Sequence, residues 1–284
     1  MSDEHPGLDP AIRARLAEMA AVADRPGALA EAALLIAAEE YRDLDVAAWQ
    51  ERLSNLGRRA AERITPEMGL GPAMAALRQL LAEEEGFRGN AEDYYDPRNS
   101  FLNDVLDRRL GIPITLSLVY METGRRAGLP VQGVGLPGHF VVQAERGGAR
   151  CLLDPFHGGR ELDEPACAAL LARVYGAGAR LRPEHLQPVT GRQILVRMLA
   201  NLKGVYTTLG DAHRALAAVD RLVLLAPEAR GELRDRARLR LALGQKIGAI
   251  RDFEAYLSVT PPPPDAAEVK SQLRALRQAL SSLN

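Results

Sequence analysis

Apolar residues recur three and four positions apart along Ala28-Leu-Ala-Glu-Ala-Ala-Leu-Leu-Ile-Ala-Ala-Glu-Glu40, with the acids on the opposite side, a spacing that predicts an amphipathic helix. The same pattern makes residues 9–86 helical, with starts at Asp45 as an N-cap and at Thr65-Pro66-Glu67. A Gly/Asn/Asp/Pro loop follows from Gly86 to Pro97. A helix is expected from Asn99 or Ser100 to Arg109, pairing Asp104 with Arg108 one turn on. Another starts at Gly111-Ile112-Pro113 and ends at Gly128-Leu129-Pro130.

Over 131–155 the period falls to two, and Gly147-Gly148 reads as a two-residue hairpin turn. That register pairs Arg146 with Ala149, Val141 with Asp154 and His139 with Phe156. His139, Val141, Leu152 and Asp154 then share one face, bringing the imidazole within reach of the carboxylate. Phe140, Val142, Ala144, Cys151 and Leu153 form the other, core-facing side, with Cys151 turned away from His139. Gly158-Gly159 makes a further turn.

From about residue 192 the pattern repeats every 34 residues: Leu209-Gly210 as Leu243-Gly244, Ala215 as Ala249, Val219 as Phe253 and Pro227 as Pro261. Small residues where two helices touch, then a large apolar one and a closing Pro, are the tetratricopeptide signature. Tyr206 becomes Arg240 in the second unit, a degenerate position. Prolines 261–264 form a stiff connection to a capping helix from Asp265 to about Leu280. In this register the concave positions are Arg197, Asn201, Gly204, Arg234, Asp235 and Arg238. That face is net basic and suits an acidic or C-terminal peptide, unless the last helix or the central domain covers it. If the face is open, Arg197→Ala with Arg238→Ala weakens capture and leaves stability unchanged.

A chain of 284 residues accommodates two domains, or one with an appended helical unit. Thirty-six basic against thirty-seven acidic residues (net charge −1) exclude bulk attraction to nucleic acid or membrane. The run Arg234–Arg240 reads as a solvated helix face. Met1-Ser-Asp-Glu-His-Pro6 lacks the features of a signal peptide, and no apolar run reaches the length of a membrane span. Cys151 and Cys167 fit neither a disulfide framework nor a metal spacing and read as small buried hydrophobes of a cytoplasmic protein. The abundance of Ala, Leu and Arg with one Trp points to a helix-rich, bacterial-style chain.

A helix N-terminus at Pro113, then Gly138-His139, then Asp154-Pro155-Phe156, has the order of a papain- or transglutaminase-type triad. The nucleophile belongs in the helix's first turn, where free N–H groups and the dipole lower a thiol's pKa. Pro113 brings no thiol, hydroxyl or N–H, and its fixed φ suits that first position. Ser117, one turn on, is either a displaced nucleophile or a hydroxyl bonded to the carbonyl four residues back. Thr115 faces elsewhere. In an enzyme Asp154 would hold the tautomer while His139 shuttles a proton; without a nucleophile the pair is a retained structural hydrogen bond or a polar floor for a ligand. Arg108 and Arg109 line the cleft for a carboxylate or pair with Asp104. His139, Asp154 and His157 lack a recognised ligand spacing, so neither metal nor cofactor is expected. His5, His185 and His213 read as surface residues.

From about Tyr94 to Gly159 the chain resembles the transglutaminase-like core, and within it the bacterial SirB-type branch, which often carries a tetratricopeptide C-terminus. The resemblance rests on Asn99-Ser-Phe-Leu-Asn-Asp-Val-Leu106, Arg108-Arg-Leu-Gly-Ile-Pro-Ile-Thr-Leu116, Gly128-Leu-Pro, Pro137-Gly-His-Phe and Asp154-Pro-Phe. Active members carry a Cys fifteen residues before that Gly, which here is Pro113; His139 and Asp154 match the other triad positions. The resemblance implies an α+β fold, predominantly helical, with a papain-type core and a small antiparallel sheet. The expected division is a helical region 1–90, a transglutaminase-like core 91–188 and repeats with a cap 189–284. The expected role is a non-catalytic protein-interaction or adaptor module taking a protein or peptide partner. The competing readings are an amide hydrolase or acyl transferase using His139-Asp154 with a non-cysteine nucleophile, and a structural subunit of an assembly.

Overall fold

The computed structural model describes residues 9–176, 178–258 and 261–281, so the N-terminal hexapeptide and its His5 lie outside the described residues. These residues form two compact units that divide between Met198 and Leu199. The fold is mostly helical with a small antiparallel sheet.

The first unit begins with α1 (Pro10–Ala21), α2 (Ala28–Ala38), α3 (Val46–Ala61) and α4 (Leu70–Arg78), the last continuing into a π-helical turn Gln79–Glu84. Asp45 caps α3 as expected, accepting from Ala48 N at 3.1 Å. Thr65-Pro66 does not start a helix; the chain turns there and α4 begins five residues later. Helix α2 is not amphipathic either, since all its residues but Glu31 are buried. It is the unit's central helix, packed by α1, α3 and α5 (Leu102–Arg108). The loop 86–97 holds a two-residue strand β1 (Arg88–Gly89), parallel to β2 (Leu110–Gly111), that the sequence pattern does not announce.

Helix α6 (Pro113–Arg126) keeps its expected bounds. It is closed by Leu129 N–H to Gly124 O (2.9 Å) and Gly128 N–H to Arg125 O (3.1 Å), a Schellman motif. The four-stranded sheet follows in the order β3 (Gln132–Val134), β4 (Val141–Arg146), β5 (Ala149–Asp154), β6 (Arg160–Leu162), all antiparallel. The hairpin register is the expected one from Arg146↔Ala149 to Val142↔Leu153. Both turn glycines have positive φ (59° and 79°), as a two-residue I′ turn demands. One correction concerns the faces: the side with Val141 and Leu152 is also buried, against Cys167 and Leu170 of α7 (Glu164–Tyr175). Neither β6 nor α7 is predicted above.

Helix α8 (Gly191–Thr208) contains the division between the units. The second unit continues with α9 (Ala212–Leu225), α10 (Gly231–Ala242), α11 (Lys246–Leu257) and α12 (Ala266–Ser281). The 34-residue repeat is visible in its packing: Ala215, Val219, Ala249 and Phe253 are fully buried. The cap is real, since Val269 and Leu273 of α12 complete the core of Leu233, Ala237, Phe253 and Tyr256.

Candidate functional site

Strand β5 ends at Asp154, whose carboxylate caps the short turn Pro155–His157 by accepting from His157 N. His157 Nδ1 lies 2.7 Å from Oδ2, and His139 Nε2 lies 3.0 Å from Oδ1. One fully buried carboxylate therefore holds two imidazoles. His139 is not on a strand, as its alternation suggested. It ends the loop before β4, where Gly138 takes φ +73° and His139 N–H bonds Leu136 O. The pair meets as loop against strand end, beyond the last rung of the ladder. Burial alone pushes the Asp154 carboxyl up, but hydrogen bonds and charge from His139 and His157 outweigh it and hold its pKa below the ordinary value.

A depressed carboxylate pKa stabilises the fold wherever Asp154 is ionised in both states. That contribution is complete above the ordinary carboxylate value near 3.8 and is lost as pH falls through the lower folded value. Asp154→Asn should therefore lower stability at neutral pH and flatten the acid limb of a denaturant-midpoint profile. Equal acid limbs in both proteins would mean the carboxylate gains nothing from its imidazoles.

Arg197 positions the His139 loop from behind. Its Nη2 donates to His139 O (2.7 Å) and Leu136 O (3.1 Å), and its guanidinium lies over the Phe140 ring, 5.2 Å from the centroid. Burial lowers its pKa, and among the described residues it meets no carboxylate. Arg197 thus belongs to this site, not to the concave repeat face where the period of 34 put it.

Helix α6 packs on β4 and on the Pro155–His157 turn. Its first turn is sealed: Thr115 Oγ1 donates to Asn99 O (2.7 Å) and accepts from Ile112 N (3.2 Å). Ser117 Oγ is buried and finds no hydrogen-bond partner among the described residues, so the expected bond to the carbonyl four residues back does not form. Arg108 pairs with buried Asp96 (3.0 Å) and not Asp104, which takes the Tyr41 hydroxyl (2.6 Å). Arg109, at φ +62°, turns to Glu85 (3.0 Å) over the Phe87 ring. Both arginines thus carry an acidic partner, although Arg108 Nη1 has no hydrogen-bond partner among the described residues. Cys151 faces Glu161 (3.8 Å), and burial and that carboxylate push its thiol up to about 11.

Sequence reasoning missed an apolar rim around this site. Tyr94, Tyr95, Val174 and Tyr175 are 40, 58, 53 and 61% exposed, four of the six large hydrophobic residues that stand out in solvent among the described residues. Tyr94 packs on Tyr95 and Phe156 (centroids 5.5 and 6.0 Å), Phe156 edges onto His139 and His157, and Val174 lies against Gly138. Two adjacent tyrosines in an otherwise polar loop were the available signal.

In the second unit the expected basic face is neutralised in place. Arg234 is held by Asp235 (3.1 Å) and Asp265 (2.8 Å), and Arg238 lies 3.4 Å from Glu268 of α12. Lys203 contacts Glu232 and Asp235 (2.8 and 3.0 Å), beside half-buried Asn201 and exposed Gly204. Helix α10 itself supplies Glu232 and Asp235, the connection supplies Asp265 and the capping helix supplies Glu268.

Among the described residues no helix is long and apolar enough to cross a membrane. A profile of the transglutaminase-like superfamily matches residues 47–200, and one of the tetratricopeptide repeat matches 202–274. A UPF0162 protein of Xylella fastidiosa is 38% identical over 247 residues, 86% of this chain and 88% of that protein. UPF0162 proteins of Vibrio cholerae and Pseudomonas aeruginosa are 33 and 32% identical, over 71 and 90% of this chain and 74 and 93% of their own lengths. No solved structure matches. With a buried histidine–aspartate pair, a profile match over more than half of its length and a relative 38% identical across most of both chains, the chain belongs to the transglutaminase-like superfamily.

Proposed function

We propose that this protein is a non-catalytic transglutaminase-like module of the bacterial cytoplasm that captures a protein partner through a short acidic or C-terminal segment. The observation that carries the reading is an assembled His139–Asp154 pair with no nucleophile to activate. Pro113 opens the adjoining helix, the Thr115 hydroxyl is consumed by backbone, and the Ser117 hydroxyl is buried. The Cys151 thiol, near pKa 11, stays protonated at neutral pH.

Capture is supported by the rim and the charge beneath it. Exposed tyrosines offer large contact area at low entropic cost. Arg197 supplies a positive charge that no carboxylate of the described residues neutralises, which favours an anionic segment over a basic one. Neither nucleic acid nor membrane is invoked, because the net charge is −1.

The test combines turnover with capture. A pool of acidic peptides with free C-termini should bind the full chain, and Tyr95→Ala with Tyr175→Ala should weaken binding about tenfold, roughly 1.4 kcal/mol, without moving the melting temperature. Amide-bond turnover that His139→Ala abolishes would overturn the reading, as would capture indifferent to the two tyrosines.

A further inference from the structure

We infer that His139, Asp154 and His157 form a binding site for a divalent transition-metal ion, with zinc the fitting member of that class. One donor atom from each residue lies within 4.8 Å of the other two. His139 Nε2 lies 3.0 Å from Asp154 Oδ1 and His157 Nδ1 lies 2.7 Å from Oδ2, one oxygen of the same carboxylate for each imidazole. Tetrahedral Zn²⁺ with bonds of about 2.0–2.1 Å holds its donors roughly 3.4 Å apart. No edge of the donor set exceeds 4.8 Å, so each needs to close by at most about 1.4 Å.

The donor chemistry matches. Two imidazoles and a carboxylate are borderline and hard ligands that suit zinc and its neighbours, and three protein ligands leave a fourth position for water or a ligand atom. Exposure grades in the required direction: the side chains of Asp154, His139 and His157 are 0, 10 and 42% exposed. The carboxylate is the floor, one imidazole is the wall, and the other stands at the solvent-facing mouth. An entering ion replaces the two N–H···O contacts. Each neutral ring then offers the nitrogen it now uses toward Asp154 as a lone pair and carries its proton on the other nitrogen.

Two of the ligands arrive on one turn, Asp154-Pro-Phe-His157, and are held together by His157 N on the carboxylate. The third is fixed independently, because Arg197 grips the carbonyl of His139 itself. Ligand spacing alone gives no hint of this, since fifteen residues and a hairpin separate His139 from Asp154. A metal here would add a Lewis-acidic contact for a partner's carboxylate or amide oxygen at the rim. Binding is measured on the free chain, so its failure leaves peptide capture standing.

The experiment is calorimetric titration of ZnCl₂ into the chelator-stripped full chain, with metal content counted after dialysis. One ion per chain is expected, with His157→Ala weakening it about a hundredfold and His213→Ala, an exposed histidine elsewhere, leaving it unchanged. His157 is chosen because its ring is half-exposed and outside the core, and a single cooperative thermal transition without metal checks that the variant still folds. No stoichiometric binding by the unaltered chain, or equal binding by His157→Ala, would overturn the site.

Discussion

Asp252→Ala should cost the C-terminal unit about 3–5 kcal/mol, the range for removing one partner of a buried ion pair. Asp252, on α11, is 3% exposed and takes both prongs of the Arg236 fork, at 2.9 and 2.6 Å, together with Arg240 at 2.7 Å. Asp220 of α9 receives Arg236 at 2.9 Å and Arg240 at 3.4 Å. Two carboxylates and two guanidiniums therefore knit α9, α10 and α11. Deleting Asp252 leaves two half-buried cations to share one acid and opens a void beside Phe253. The denaturant midpoint reads the loss, and Asp252→Asn should fall between wild type and alanine because it keeps the shape without the charge. A change below about 1 kcal/mol would class the network with surface ion pairs.

That network explains a position where the repeat signature fails. The first repeat has Tyr206, buried at 6%, where the second repeat has Arg240. Read as sequence, Arg240 is decay of the repeat; in the fold it replaces ring packing with a charged bond to the next helix. Repeat period, small-residue contacts and closing prolines were legible because they are local and recur. The partners of Arg234, Arg236, Arg238 and Arg240 were not, since each lies 12 or more residues away, apart from the adjacent Asp235.

The site shows the same boundary. Gly147-Gly148 and the alternation around it set the hairpin register, and with it the closeness of His139 to Asp154. The bounds of α6 followed from Pro113 and Gly128. The failures have physical causes. Thr65-Pro66 has the chemistry of a helix start but forms a turn, and α4 starts only at Leu70. Strand β6, at three residues, is too short to show a period. Helix α7 was overlooked although Asp163 caps it (2.8 Å to Ala166 N) and Pro165 follows, a start signal that was there to read. His157 and the aromatic rim become neighbours only through tertiary contacts.

Arg197→Ala should cost about 3 kcal/mol and release the loop that carries His139. This reverses the expectation from the repeat register, in which Arg197 faced open solvent and its loss left stability untouched. A guanidinium bond to a carbonyl contributes about 1.5–3 kcal/mol, and Arg197 makes two, to Leu136 and His139. Its stacking on Phe140 is lost as well. Offsetting this, alanine removes a cation whose burial is unfavourable, as its lowered pKa records, so the balance is smaller than the sum. Arg197→Lys separates charge from geometry, because an ammonium keeps the charge but lacks the fork and the flat face. It should recover less than half of the lost stability. Hydrogen exchange distinguishes a local role from a global one. The His139 amide, which now bonds Leu136 O, should lose protection in Arg197→Ala beyond the global loss, while α2 follows the global loss alone. Uniform loss across the unit, or none at Leu136–Phe140, would mean the arginine braces the core and not the histidine.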